Sequence, residues 1–302
     1  MKRNMGENSR KSCFTAKGKH FTIREAEITS EIAEKGRDRL KNEGTRKMCL
    51  QIRRNISTHL PHTHGKKVGQ PGKNLLYYRK KQKGECAMHA VDLTHVIEEN
   101  MPVYPGTEGP KMVPANSYQE SGFRETCLTF YSHTGTHMDA PAHLYPTGKT
   151  LDVLPITQFS GTAVVIHCPE LQAGERIAMH HIRKQWEAAN QAEFILFHTG
   201  WSRYWGQPEY FGDYPYITHQ VADWLLKTGK KGIGLDTIGL DPIADENLTL
   251  HRKLLADDRM VIIENLTNLE QVGDGVVFFC ALPLKQADAD GAPVRAAAFW
   301  AD

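Results

Sequence analysis

The chain has 302 residues, with 37 Lys and Arg against 35 Asp and Glu, a formal net charge of +2 and 40% hydrophobic residues. That length holds one large domain or two small ones, and the averages are those of an ordinary soluble protein. An apolar run of about 18 residues is absent, which excludes a membrane-spanning helix, and the N-terminus has no apolar core of the Sec-signal type.

The average charge hides a division. Residues 1–87 carry 22 basic and 8 acidic residues, whereas residues 88–302 carry 15 and 27. Within the basic part, residues 21–40 are helix-compatible, with Ile23, Ile28, Ile32 and Leu40 spread too loosely for a strong apolar stripe. The run His59, His62 and His64 looks like a metal site only superficially. Pro61, Lys66, Lys67 and the lack of a nearby carboxylate oppose that reading. Such charge suits an arm for nucleic acid or an acidic membrane surface. The preferred reading is a disordered extension, or sequence upstream of the natural start carried in the reading frame, because a well-patterned domain opens at Met88.

Residues 90–94 read as a strand and residues 101–106 as a turn-rich loop with one aromatic, Tyr104. Residues 125–131, rich in β-branched and aromatic side chains, read as another strand. They lead into the densest chemistry of the chain. His133, His137, Asp139 and His143 fall within eleven positions in an H-x3-H-x-D-x3-H order. Imidazole and carboxylate are ligand types that Zn2+ and Mn2+ accept, so the stretch reads as the core of a metal site. On a helix His133 and His137 would share a face; on an extended strand His133, His137 and Asp139 would point to one side. Gly135 and Pro141 oppose a helix interior, which favours a strand running into a turn.

Residues 161–168 and 194–197 are short buried-strand runs, and His167 at the end of the first reads as structural. Residues 177–189 are helix-compatible, with His180 and His181 exposed on them. The second strand ends in His198-Thr199-Gly200-Trp201. Residues 204–216 form a long aromatic loop suited to covering a pocket. Thr218 caps a helix reaching Lys227, with Val221, Trp224 and Leu225 on its apolar side. Residues 232–236 are a strand, residues 248–255 a short helix carrying His251, and residues 260–266 an apolar strand interrupted by Glu264. A buried lone carboxylate costs several kcal/mol, so Glu264 needs a partner, and an arginine or a cation would serve. Residues 276–284 and 293–299 close the chain as two further strands. There is no internal repeat, no Gly-rich phosphate loop and no G-x-S-x-G elbow.

Three separated stretches together resemble the cyclase-like metal-dependent hydrolases, a family with bacterial kynurenine formamidase and isatin hydrolase branches. Residues 133–143 match its H-x-G-T-H-x-D-A-P-x-H signature. Residues 92–106 resemble its D-L-T-H and M-P-V-[YW]-P-G opening, and residues 251–269 its H-x-x-L-L and I-I-E-N-L-x-N-L pair. Over residues 88–302 the resemblance implies an α/β fold, a compact single domain with central mixed β structure and flanking helices, preceded here by the basic extension. It implies one or two ions of Zn2+ or Mn2+. His133, His137 and Asp139 would hold one, and Asp139, His251 and Glu264 the second. His143 would be the catalytic proton donor and acceptor, and Tyr104 would line the substrate pocket. Gly239 stands where the family has a serine, and His198 where it often has another basic residue.

The implied activity is hydrolysis of an amide-type C–N bond by metal-activated water. An N-formyl aryl amine such as N-formylkynurenine is the expected substrate, with a cyclic, isatin-like amide as the alternative. A reading from another class is a non-catalytic metal- or ligand-binding module with a nucleic-acid-binding arm. The presence of His143 argues against the first element of that reading; the acidic balance of residues 88–302 opposes nucleic-acid binding by that part of the chain, and deleting the arm would test the rest. Family members are usually oligomeric, so a homo-dimer or tetramer is expected. The six cysteines, Cys13, Cys49, Cys86, Cys127, Cys168 and Cys280, form no C-x2-C pair. They read as reduced thiols of a cytoplasmic protein.

Overall fold

Each stretch expected as a strand beyond residue 88 contains one. The computed structural model describes residues 87–302, so the helix expected over 21–40 and the histidine run 59–64 lie outside the described residues. The strands are β1 (Met88–Asp92), β2 (Lys111–Asn116), β3 (Glu125–Thr129), β4 (His137–Asp139), β5 (Ser160–His167), β6 (Arg176–Ile177), β7 (Phe194–His198), β8 (Tyr216–Ile217), β9 (Gly232–Leu235), β10 (Val261–Glu264), β11 (Val276–Pro283) and β12 (Gly291–Ala301). The helices are α1 (Tyr118–Ser121), α2 (Met179–Arg183), α3 (Trp186–Gln191), α4 (His219–Lys227) and α5 (Thr249–Leu255).

Eight strands form one mixed sheet in the order β1-β12-β11-β5-β7-β9-β10-β4. Within it β5, β7, β9 and β10 run parallel, and their neighbours run antiparallel. The long β12 then pairs a second time. Residues 294–299 lie against β11, while Gly291, Ala292 and Pro293 lie against Asp139, Met138 and His137 of β4. Seven strands therefore close into a barrel-like ring with β1 attached outside, and closure removes open sheet edges. The expectation of a central mixed β structure with flanking helices omits this closure and overstates the helices, which run from four to nine residues.

Alternation along the strands explains the two main cores. Met138, Ala163, Val165, Phe194, Leu196, Val261, Ile263, Phe279 and Ala296 share one apolar cluster, which fills the ring. The opposite parity, including Val164, Ile195, Phe197, Ile233 and Ile262, packs under Ile182, Val221, Leu225, Leu250 and Leu254 of the helices. Both faces of the parallel strands are thus buried, which is why they read as continuous apolar runs. His137, Asp139 and Glu264 belong to the outward parity, beneath α5.

Two expectations need correction. Residues 177–189 are not one helix: Gln185, at φ −128 and ψ 39, breaks the run between α2 and α3. His181 is not exposed; it is 4% accessible, and its Nδ1 accepts from the Ala178 N–H at 3.0 Å, closing the start of α2. The aromatic loop 204–216 contains 3-10 turns, with Tyr210 and Tyr214 buried against Trp201 and Ile238. The helix capped by Thr218 is α4, and its cap accepts from the Val221 N–H as the sequence suggests. Among the described residues β2 and β3 pair only with each other, as a hairpin exposed along most of its length. No helix among the described residues is long and apolar enough to cross a membrane.

Candidate metal centre

The register of β4 against β10 sets the geometry. Glu264 lies opposite His137, and Ile262 opposite Asp139, so two potential ligands face each other across one strand pair. α5 brings His251 over them. His133 arrives differently. The strand is only three residues long, and His133 precedes it on a loop that turns at Gly135, where φ is +65. The extended strand expected through His133 is therefore absent. A left-handed glycine brings the ring back to the same side, in a conformation that a side chain would strain.

Asp139 is the hub. Its Oδ1 lies 2.7 Å from His133 Nδ1 and 3.3 Å from His137 Nε2, while its Oδ2 lies 3.5 Å from His251 Nε2. Glu264 Oε2 is 3.5 Å from His137 Nε2, and its Oε1 is 3.0 Å from His251 Nε2. The structure thus brings together two ligand triads, His133–His137–Asp139 and Asp139–His251–Glu264, each with its donor atoms within 4.8 Å. His137, Asp139, His251 and Glu264 are all at most 5% exposed. Among the described residues no lysine or arginine forms an ion pair with Asp139 or Glu264, which removes the arginine alternative for Glu264. Imidazole nitrogens and carboxylate oxygens converging in a dry site fit a divalent cation of the Zn2+ or Mn2+ type.

Supporting hydrogen bonds hold the donors. Asp241 accepts from His251 Nδ1 at 2.7 Å and from the N–H groups of Leu250 and His251 at 2.7 and 2.9 Å. His137 Nδ1 donates to Gly135 O at 2.8 Å, and the Leu240 N–H donates to Glu264 Oε1 at 2.6 Å. Asn265, also at positive φ, donates to Gly135 O and accepts from the Tyr210 hydroxyl. Electrostatics follow the crowding. Burial opposes ionisation of Asp139, but the charge of His133 and hydrogen bonds from His133, His137 and His251 hold it well below the usual carboxylate range. Burial likewise opposes the charged form of His133, yet Asp139 and Asp290 outweigh it and raise the imidazole to about 9. His251 is raised too, against burial, by hydrogen bonds to Asp139, Asp241 and Glu264.

His143 ends the 3-10 turn Pro141–His143. Its ring centroid is 4.0 Å from that of His133 and 6.3 Å from that of His251. Burial, then the neighbouring His133 and His251 charges, push its pKa down, against the pull of Asp139 and Glu264. The arrangement keeps a neutral imidazole beside the cluster. Tyr104 is 41% exposed; burial and the Glu264 carboxylate raise its hydroxyl pKa, which puts it within electrostatic reach of the same centre. His198 does not join the cluster. Its Nδ1 is 3.0 Å from His167 Nδ1, and His167 Nε2 donates to Val272 O at 3.1 Å, so the pair braces the ends of β7 and β5. Asp241, Asn265 and Asp290 were missing from the sequence-derived site. Asn265 lies inside the resembling stretch 251–269 and Asp241 two residues after Gly239, where the family has a serine, whereas only the fold brings Asp290 to His133.

Residues 91–242 match the model of the family described as "Putative cyclase". The kynurenine formamidase of Geobacillus thermodenitrificans (strain NG80-2) is 32% identical over 214 residues, covering 68% of this chain and 95% of that protein. A solved isatin hydrolase bound to the product analogue thioisatinate superposes with a TM-score of 0.64 at 24% identity, over 71% of this chain and 93% of that one, a likeness of fold. A structure described as a potential metal-dependent hydrolase with cyclase activity gives a TM-score of 0.56 at 28% identity, over 70% and 98%.

Proposed function

The chain belongs to the cyclase family and is a metal-dependent amidohydrolase, and from that premise we propose that it hydrolyses an N-formyl aryl amine of the N-formylkynurenine kind. The observation that carries the proposal is the hub at Asp139, with one oxygen toward His133 and His137 and the other toward His251. We assign His133, His137, Asp139, His251 and Glu264 as the ligands, for one or two ions of Zn2+ or Mn2+. When bound, such an ion polarises the scissile carbonyl and acidifies a water.

The chain's own residues supply the rest. Asp139 and Glu264 give the carboxylate oxygens that offset the cation's charge in a site from which solvent is largely excluded. His143, neutral and beside the cluster, takes a proton from the attacking water and delivers it to the leaving amine as the C–N bond breaks and the C–O bond forms. Tyr104 is assigned to the substrate side, where its half-exposed ring covers an aryl group. The similarity to a kynurenine formamidase along 95% of that protein favours an N-formyl amine over a cyclic amide.

The decisive experiment measures turnover of N-formylkynurenine and of isatin by protein loaded with Zn2+ or Mn2+, alongside elemental analysis of protein purified without chelators. Turnover of the first with bound Zn or Mn is expected, and turnover of isatin alone would replace the substrate assigned here. Unchanged metal content in the Asp139→Ala, Glu264→Ala double variant would sink the ligand assignment.

Two further parts of the reading concern the whole chain. Residues 88–302 are proposed as the complete hydrolase unit, since every assigned residue falls there. Protein beginning at Met88 is expected to keep its turnover. Self-association into a homo-dimer or tetramer is proposed as well, supported by Val113, Leu128 and Tyr131 on or beside the β2–β3 hairpin, each more than half exposed. A two-stranded hairpin is marginal on its own, and sedimentation showing only monomer would count against association. The free thiols of Cys127, Cys168 and Cys280 support a reducing, cytoplasmic setting.

A further inference from the structure

We infer that Asp290 is a positioning residue of this centre, one that fixes which nitrogen His133 turns toward the cation. The inference rests on the ligand assignment above and adds to it a residue that no motif supplies.

The two ring nitrogens of His133 face two different carboxylates. Nδ1 faces Asp139 at 2.7 Å, and Nε2 faces Asp290 Oδ2 at 3.0 Å. An imidazole can offer Nδ1 to a cation only when its ring proton sits on Nε2, and that N–H then needs an acceptor. Asp290 is the acceptor. The other two imidazoles are held by the same rule. His251 turns Nε2 inward and donates Nδ1–H to Asp241, and His137 turns Nε2 inward and donates Nδ1–H to Gly135 O. Without Asp290, His133 would be the one ligand with no outer partner. A separate cation on His133, His143 and Asp290 would require His133 to give Nε2 away from the centre, so the positioning role fits the geometry better.

The backbone shows that the placement is built. Gly291 lies opposite Asp139 in the β12–β4 pairing, and the Ala140 N–H donates to Asp290 O at 2.9 Å. The strand contact that closes the ring therefore also fixes where the Asp290 side chain starts. Gly291 leaves room for the imidazole: a Cβ there would lie 2.4 Å from His133 Cε1 and 2.7 Å from its Nε2. The His133 ring thus lies in a slot with a carboxylate at one end and bare backbone along one side. The same Asp290 Oδ2 is 3.4 Å from Ser132 Oγ and 3.9 Å from His143 Nδ1. One oxygen bonds the ligand and lies beside the loop, with the His143 ring farther off.

The test uses the full chain with Asp290→Ala and Asp290→Asn, because asparagine keeps an oxygen that can accept from His133. Zn2+ affinity, measured by competition with a chromophoric chelator, should fall about 10–100-fold in the alanine variant, as is typical when an outer partner of a metal-bound histidine is lost. It should return to within a few-fold of wild type in the asparagine variant. Nitrogen-15 spectra of histidine-labelled Zn2+ protein should show His133 protonated on Nε2 in wild type and asparagine protein. In the alanine variant kcat should fall more than KM rises. An alanine variant that binds Zn2+ as tightly as wild type overturns the inference and leaves the ligand assignment standing. Wild-type protein that binds no Zn2+ or Mn2+ overturns the assignment itself, and this inference with it. Should Asp290→Ala not fold, Gly291→Ala, which crowds the ring without touching the carboxylate, must weaken Zn2+ binding, and unchanged binding there rejects the slot.

Discussion

The two walls of the centre are built from the same residue types and behave differently. One wall, made by Glu264, His251 and Asp241, is at most 5% exposed. Its carboxylate oxygens are engaged by backbone N–H groups of Leu240, Leu250 and His251. The other wall, made by His133, His143 and Asp290, has side chains 23%, 26% and 46% exposed. Its polar contacts are made between side chains. Fixed backbone dipoles suit a wall whose task is to hold charge, since they need no rearrangement during reaction. Partly open imidazoles suit a wall that must exchange protons with water and substrate. On the assignment proposed above, the buried wall holds charge, while the open wall carries both a ligand, His133, and the proton carrier, His143.

The largest expected effect lies on the open wall. His143→Ala should keep its metal and lose about 10²–10⁴-fold in kcat, the usual worth of general acid–base catalysis. Metal content and rate are measured on the same sample. Loss of metal along with rate would make His143 a ligand and erase the distinction between the walls. Retention of both would send the search for a proton carrier elsewhere, although His198, held against His167, is poorly placed for it.

Next comes Asp241→Ala on the buried wall. It strands the Leu250 and His251 N–H groups and His251 Nδ1, and each unsatisfied buried donor costs about 1–3 kcal/mol. Unfolding by urea should show a loss of several kcal/mol, together with weaker metal binding. Asp290→Ala leaves no backbone donor stranded, so its stability should stay within about 1 kcal/mol of wild type. Equal losses from the two aspartates would break the comparison.

How much of this could be read beforehand follows from distance along the chain. The strands β5, β7, β9 and β10 were legible because both faces are buried, which leaves unbroken apolar runs, and β11 because its run is apolar although one face stays exposed. Ring closure was not, since it depends on residues 291–293 meeting residues 137–139. No local pattern records that pairing. β2 was missed because Lys111–Asn116 is mostly exposed and carries Pro114, so it has neither an apolar run nor clean alternation. His133, His137, Asp139 and His143 announced themselves by density, and His251 and Glu264 by their motifs. Asp290 reaches His133 across 157 positions, and only the closed ring brings it there. The misplaced His181 shows the converse: a polar residue in a helix-compatible run can be buried when it caps its own helix.

The smallest effect concerns the support behind both walls. The His95 N–H donates to Thr136 Oγ1 at 2.9 Å, and Thr136 lies between His133 and His137 in the chain. The His95 ring stacks on Trp205 at 3.8 Å, and its Nε2 is buried without a hydrogen-bond partner among the described residues. Burial alone lowers its pKa from 6.5 to about 4, so the folded protein holds this ring neutral. Between those two values the unfolded chain binds a proton that the folded chain refuses. Stability therefore falls as the pH drops through that window and changes no further from this source below about 4. His95→Phe keeps an aromatic ring for Trp205 and the backbone donor for Thr136 while removing the titration. Its urea midpoint should decline less than that of wild type on acidification from about pH 6.5 to about pH 4. The carboxylates that also titrate there act on both proteins alike and cancel in the difference. Parallel curves for the two proteins would mean that His95 is protonated in the fold, and that the backing of the Thr136 turn is wetter than its burial indicates.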